Sequence, residues 1–341
     1  MKVYKTGVIA LGMGDSWAKA AHTLDNTKLT MVYDLNFEMN RRIDKEFYKN
    51  SGAIIAKCED EIYKAGLDII IVASPDHFHA EQSIKALKSG AHVVCEKPLA
   101  PTVADCKRII KAVKQSGKFF MTGQVCRYAP GFVLAKRLVD DGRIGEIAFM
   151  ESEYVHDYTH ATGIDNWRKD PKIKREGIIG GGCHAMDLVR WMVGNPREVC
   201  CYSNNKLMAD CAWPTADTGI IIGKFPNNVI GKIFISVGAK RPYTMRTVIY
   251  GTKGTIICDN TSDHIRIFEQ KNIKETGSSF ATIPVNIASH NVTEELKEFV
   301  SYLDKNKQSP TDVYEGTRTV AFGEAALRSA KAGQPVKVEK I

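Results

Sequence analysis

At 341 residues the chain is longer than one hydrophobic core usually organises, so two domains are expected. Hydrophobic residues at 44% and charged residues at 25% are ordinary globular proportions, which excludes disordered and fibrous classes, and no apolar run approaches the roughly 20 residues that cross a bilayer. The net charge of +8 is spread along the chain and balanced locally by acids, so it forms no patch for nucleic acid.

The opening MKVYKTGVIALGMG runs straight into a strand and a glycine turn without a signal-peptide core, and a cytoplasmic location is the expectation. A helix is predicted over 16–24, a strand at LTMVYD, a strand over 68–74 (DIIIVAS), a helix over 79–89, a strand over 91–95, a helix over 102–116 and a strand over 118–122. Continuous apolar strands alternating with amphipathic helices imply a parallel sheet covered on both faces. After about 125 the pattern changes to a helix (PGFVLAKRLVDDG), a strand (EIAFMESEYV), a long polar loop to about 176 and a helix (HAMDLVRWMVG). Period-two segments such as GIIIGKFP, VIGKIFISVGA, TMRTVIYGT, GTIICDN and HIRIFEQ follow, and a last helix spans about 314–331. The expected fold is therefore α/β plus α+β: a doubly wound parallel sheet over 1–125, and a domain over 126–341 with a largely antiparallel open sheet. The nine cysteines are scattered, show no C-x-x-C and fall mostly in apolar stretches, which suits reduced buried thiols. No metal site is expected, since His156 and His160 have no third ligand at convincing spacing.

The turn after the first strand, Gly12, Met13 and Gly14, stands between a strand and a helix, where a glycine turn can admit a pyrophosphate to a helix N-terminus. The strict G-x-G-x-x-G is absent: Ala10 replaces its first glycine and Asp15 its third. Asp34 closes the second strand about twenty residues on, where a carboxylate accepts hydrogen bonds from adenosine ribose hydroxyls and repels a 2′-phosphate. NAD is thus expected over NADP, with Arg41 and Arg42 as the groups that would reverse the preference.

Two further motifs, ASPDHFH (73–79) and CEKPLA (95–100), fall at the ends of later strands of the same sheet. With GVIALGMG before them and GGGCHAMD after, the chain resembles the Gfo/Idh/MocA oxidoreductases along nearly its whole length. The resemblance implies a Rossmann domain followed by a substrate domain. It implies that Ser74 and Pro75 form the turn beside the cofactor with His79 after it, that Glu96 contacts the cofactor region, and that Lys97 reaches the reacting hydroxyl. It further implies that His184 is the histidine offered by the second domain. The aspartate frequent four residues earlier is Gly180 here, a departure that breaks the usual lysine, aspartate and histidine trio.

Hydride transfer from an alcohol carbon needs the hydroxyl proton removed and the developing oxygen charge stabilised. Lys97 and His184 can divide those tasks; the sequence does not say which takes the proton. A lysine beside a positive nicotinamide in a partly dry pocket is expected to have its pKa lowered. Asp187, three residues beyond His184, shares its helical face and either orients it, binds a sugar hydroxyl or complements the helix dipole. The loop YVHDYTHATGIDNWRKDP offers Tyr154, His156, Asp157, Trp167 and Arg168 as sugar contacts, and Arg127 and Tyr128 fit either a cofactor or a packing role.

The leading function is an NAD(P)-dependent dehydrogenase of a sugar, glycoside or cyclitol. One alternative retains NAD and cleaves a glycoside through transient oxidation and elimination; another is a noncatalytic NAD-binding sensor, which would need neither Lys97 nor His184. No nucleic-acid or membrane partner is expected, and family analogy implies a homo-oligomer, dimer or tetramer.

Overall fold

The computed structural model describes residues 2–40, 43–270, 279–288 and 290–341. The chain divides into two compact units, one of Met1–Gln124, Gly163–Trp167 and Val292–Val320, the other of Val125–Thr162, Arg168–Asn291 and Ala321–Ile341. The first division falls where the sequence pattern changes; the assignment of 163–167 and 292–320 to the first unit has no counterpart in that pattern.

The first unit runs β1 (Tyr4–Ile9), α1 (Gly14–Thr23), β2 (Thr27–Tyr33), α2 (Lys45–Asn50), β3 (Ile54–Ile55), α3 (Glu59–Lys64), β4 (Ile69–Val72), α4 (His79–Lys88), β5 (His92–Cys95), α5 (Val103–Ser116) and β6 (Phe120–Thr122). All its strand pairs are parallel, in the order β3-β2-β1-β4-β5-β6. Strand order reverses between β1 and β4, so the loops leaving these two strands open onto the crevice where doubly wound sheets take their ligands. Ile69 to Val72 are fully buried, which is why β4 reads as an unbroken apolar run. The Thr102 hydroxyl caps α5 by accepting from Asp105 N at 3.1 Å, and Gly117 ends it in a left-handed conformation (φ 64°).

The second unit begins with α6 (Pro130–Asp140), β7 (Ile147–Val155), α7 (Gly177–Gly180) and α8 (Cys183–Val193). Strands β8 (Glu198–Asn204), β9 (Thr218–Lys224), β10 (Ile230–Ser236), β11 (Thr244–Gly251), β12 (Gly254–Asp259), β13 (His264–Glu269) and β14 (Ala281–Pro284) follow. Then come α9 (Val292–Asp304), which belongs to the first unit, α10 (Val313–Ala332), and β15 (Val336–Lys337) at the sheet edge. The sheet order is β14-β13-β12-β11-β7-β10-β9-β8-β15, antiparallel among the described residues except at β7 and β10. Period-two burial places Met150, Ser152 and Tyr154 of β7 and Ile233 and Ile235 of β10 on the inner face, against which α8 packs. On the opposite face Tyr202, Ile222 and Ile230 are 68%, 51% and 49% exposed. Among the described residues no helix is long and apolar enough to cross a membrane.

Candidate active site

At the turn after β1 the backbone keeps what the sequence departs from. Ala10 takes a left-handed conformation (φ 67°), the kind of torsion glycine tolerates best. Gly14 supplies close helix–strand packing: a Cβ there would lie 2.9 Å from Val8 Cγ1 and 3.2 Å from Ala73 Cβ. Around Gly12 a Cβ would meet nothing within 4 Å, so the approach to the turn is open. The Asp34 carboxylate accepts from Leu11 N at 2.7 Å and Asn36 N at 2.9 Å, which fastens the glycine turn to the end of β2. Two carboxylate oxygens offer about four lone-pair sites, so capacity remains for ribose hydroxyls. Open turn, helix start and carboxylate together fit a dinucleotide. Arg41 and Arg42 lie outside the described residues. Ala10→Gly should stabilise the chain by about 0.5–1 kcal/mol, because the left-handed torsion costs an L-residue roughly 1–2 kcal/mol and glycine returns about half of that as entropy. A denaturant midpoint shifted upward at unchanged slope would show it.

The turns after β4 and β5 are locked to each other. His79, 1% exposed, sets Nδ1 2.9 Å from the Pro98 carbonyl and Nε2 2.8 Å from the Ser74 carbonyl. Carbonyl oxygens only accept, so both ring nitrogens donate and the ring is an imidazolium. Burial opposes that charge, but Cys95, Asp76 and the Pro98 carbonyl outweigh it and push the pKa up to about 9. A histidine whose folded pKa exceeds its unfolded value of about 6.5 stabilises fully below that value and loses the contribution as pH rises through 9. Unfolding titrations should therefore show the gap between wild type and His79→Gln narrowing steadily from pH 6 to pH 9.5; a constant gap would mean that the ring stays neutral.

Glu96 is 4% exposed and takes a hydrogen bond from Trp17 Nε1 at 2.7 Å and from Lys97 N at 3.1 Å. The glutamate of the E-K-P turn is thereby tied to α1, and Lys97, half-buried, follows it before a cis bond to Pro98. Ser74 Oγ bonds to Gln82 Oε1. In the same unit the Trp167 ring lies 5.8 Å from that of His77, and Asn36 Nδ2 donates to Asp165 Oδ2 at 3.3 Å. Trp167 thus sits beside the turn after β4.

In the second unit His184 stands in the first turn of α8, 2% exposed. Its ring stacks on Tyr154 with centroids 5.8 Å apart, meets His290 edge-on at 5.4 Å, and has Nδ1 3.0 Å from Cys126 Sγ. The Tyr154 hydroxyl bonds to that of Tyr158 at 2.7 Å and lies 3.4 Å from His156 Nδ1, and Tyr243 packs on both Tyr154 and His156. Burial raises the Tyr154 pKa well above the phenol range, so the group is a neutral hydrogen-bonding hydroxyl. The Arg168 guanidinium lies 5.4 Å from the Tyr158 ring and donates to Ala161 O at 2.7 Å. Asp157 is half-buried, and its bonds to Thr159 and Lys240 overcome desolvation to hold its pKa at about 2.

Asp187 lies deep in this unit. Its carboxylate, 1% exposed, takes Arg127 Nε at 2.7 Å, Arg127 Nη2 at 2.6 Å and Arg190 Nη1 at 3.2 Å. That commitment makes Arg127 and Asp187 a buried ion-pair cluster. At Gly180 a Cβ would collide with the guanidinium of Arg175, so the missing side chain's place is taken by a cation from five residues earlier. Cys126, Tyr158, Arg175, Tyr243 and His290 were not singled out from the sequence; they come from separate loops and strands, and no spacing links them. Among the described residues no group of three His, Cys, Asp or Glu side chains is placed to hold a metal ion.

Both parts of the chain match known protein families. Residues 5–124 match the oxidoreductase family with an NAD-binding Rossmann fold, and residues 132–257 match the GFO/IDH/MocA C-terminal domain. The chain belongs to the Gfo/Idh/MocA oxidoreductases. As a family member it is an NAD-binding oxidoreductase. It is 28% identical to the 2,7-anhydro-N-acetylneuraminate hydratase of Escherichia coli, over 89% of this chain and 81% of the relative. It is 24% identical to the myo-inositol 2-dehydrogenase of Thermotoga maritima, over 99% of each. A levoglucosan dehydrogenase solved with NADH and L-sorbose shares the fold, with TM-score 0.83 at 20% identity and full coverage of both chains.

Proposed function

We propose that this oxidoreductase removes hydride from the carbon bearing a secondary hydroxyl of a sugar, glycoside or cyclitol, and reduces the matching ketone in reverse. NAD held at the glycine turn and Asp34 supplies the hydride acceptor. Lys97 and His184 are the proposed acid–base pair, one taking the hydroxyl proton and the other steadying the oxygen. His156, Trp167 and Arg168 are the proposed sugar contacts, together with Tyr154, whose hydroxyl bonds to that of Tyr158.

The observation that carries this reading is the setting of His184: an imidazole at a helix start, stacked on Tyr154 and met edge-on by His290, with Tyr243 packed on both of those rings. Flat rings suit the apolar face of a sugar, and phenol hydroxyls suit its rim. Kinship with dehydrogenases of inositol and levoglucosan supports the same substrate class. The test is absorbance at the reduced-nicotinamide band with sugars, glycosides and inositols, each offered with NAD and with NADP. Net NADH formation, weaker with NADP because Asp34 repels a 2′-phosphate, is the expected result. Absence of any product would overturn the reading. The likeness to a hydratase favours a second reading, transient oxidation followed by elimination with the cofactor returned unchanged. That enzyme would yield product without net absorbance change.

The outward sheet face bearing Tyr202, Ile222 and Ile230 supports a dimer or tetramer of this chain. Sedimentation should show the assembly, and Ile222→Lys should weaken it. A wild-type monomer at micromolar concentration would refute the proposal.

A further inference from the structure

We infer that Gln82 and Glu59 fix the direction of the Ser74 hydroxyl proton, so that Ser74 meets NAD as a hydrogen-bond acceptor and takes a bond from a hydroxyl of the nicotinamide ribose. The direction follows from contacts within the first unit; its use rests on the proposed seat of NAD at the glycine turn and Asp34.

Glu59 opens α3, and its carboxylate accepts from Tyr63 Oη at 2.8 Å, Lys85 Nζ at 3.2 Å and Gln82 Nε2 at 2.7 Å. A carboxylate paired with a lysine only accepts, so the end of the Gln82 amide turned to it is the NH2. Gln82 Oε1 then faces the other way, onto the Ser74 hydroxyl. A carbonyl also only accepts. The single proton of Ser74 is therefore directed at Gln82, while the Pro75 carbonyl, at 3.5 Å, stands too far off to win it. The hydroxyl keeps its lone pairs for a ligand. Serine ordinarily turns to suit its partner, donating or accepting; here two side chains, reaching back to α3, take that choice away. Gln82 is 6% exposed, so water competes little for its amide.

The strand order says which part of NAD lies nearest. β1 stands between β2 and β4. The pyrophosphate belongs at the glycine turn after β1 and the adenosine ribose at Asp34 after β2, so the other half of the molecule leaves on the β4 side. Ser74 follows the last residue of β4 by two, and its own carbonyl is held by His79 Nε2 at 2.8 Å. Neighbouring strands lie about 4.8 Å apart, comparable with the step from a phosphate to the ribose it esterifies. Phosphate oxygens have no proton to give an acceptor; a ribose hydroxyl has. Gln82 and Glu59 are accordingly positioning residues, acting through Ser74.

The experiment is calorimetric titration of the full chain with NAD, with ADP-ribose, which keeps the second ribose but lacks nicotinamide, and with ADP, which lacks both. Ser74→Ala should weaken NAD and ADP-ribose alike, about three- to tenfold, the worth of one hydrogen bond, and leave ADP unchanged. Gln82→Leu should give the same pattern with a smaller loss, about two- to fivefold, because the ligand then has to order the released hydroxyl. In the Ser74→Ala background it should add little, since no hydroxyl is left to direct. Unchanged ADP affinity shows that both variants are folded. A Ser74→Ala loss shared by ADP would put the contact on the adenosine side, and one confined to NAD would put it on the carboxamide; either, or no loss at all, would overturn the inference. So would a Gln82→Leu loss that persists in full without the serine hydroxyl. Asp34→Ala tests the seat separately: it should weaken all three ligands, and unchanged ADP binding there would overturn the seat and the inference with it. No sugar enters these titrations, so their outcome is independent of the dehydrogenase reading.

Discussion

Replacing Lys97 by methionine should slow hydride transfer at least about a hundredfold while NAD binds nearly as before. General acid–base groups typically contribute 10² to 10⁴ in rate, and methionine keeps much of the lysine's length without any proton to share. The surrounding turn is built to hold this residue: its backbone N–H is fixed by Glu96, Glu96 is fixed by Trp17, and the following Pro98 carbonyl receives His79. Those supports are untouched by the substitution, so cofactor affinity should survive. Single-turnover measurements at saturating sugar and NAD isolate the chemical step from product release. His184→Asn should also slow the step. Near-wild-type transfer by Lys97→Met would remove the lysine from the mechanism.

The second large effect concerns stability. Asp187→Ala should cost about 3–5 kcal/mol, the usual penalty for breaking a buried ion pair and leaving its partner charge in place. Here two guanidinium groups face the same carboxylate, and Arg190 and Asp187 side chains are each 1% exposed. Desolvation of the stranded cations sets the size of the loss, more than the bonds themselves. Asp187→Asn, which keeps the shape but not the charge, should fall between wild type and alanine. Denaturant unfolding with an unchanged slope is the measurement. A loss under about 1 kcal/mol would show that the arginines are held by other groups.

Much of the architecture was legible because it follows from local periodicity. The buried run Ile69–Val72 and the alternating Gly254–Asp259 announce a parallel and an antiparallel setting through burial on two faces or one. The short elements at 45–50, 54–55 and 59–64 did not show, since six residues or fewer hold less than two helical turns or one strand pair of signal. Helix Val292–Asp304 was missed, although its apolar face (Leu296, Phe299, Val300, Leu303) is buried. Lys97 and His184 stood out through their motifs. Their supports did not: Trp17 for Glu96, and Cys126 for His184, join residues 79 and 58 positions apart. Helical spacing puts Asp187 on the face of His184 and leaves open whether it orients that ring, binds a sugar hydroxyl or complements the helix dipole; only its neighbours in three dimensions show the carboxylate engaged by arginines.

The edge strand β6 is finished by chain made much later. Phe120 N bonds to the Gln308 side chain at 3.3 Å and Thr122 N to Thr311 O at 2.7 Å, and α1 packs on α9. Synthesis proceeds at about 5–20 residues per second, so the nearly 190 intervening residues take roughly 10–40 seconds. Throughout that interval a nascent first unit exposes an unpaired strand edge and the bare flank of α1, the surfaces on which growing chains stick to one another. Birth on the ribosome is therefore when this protein has most need of a chaperone.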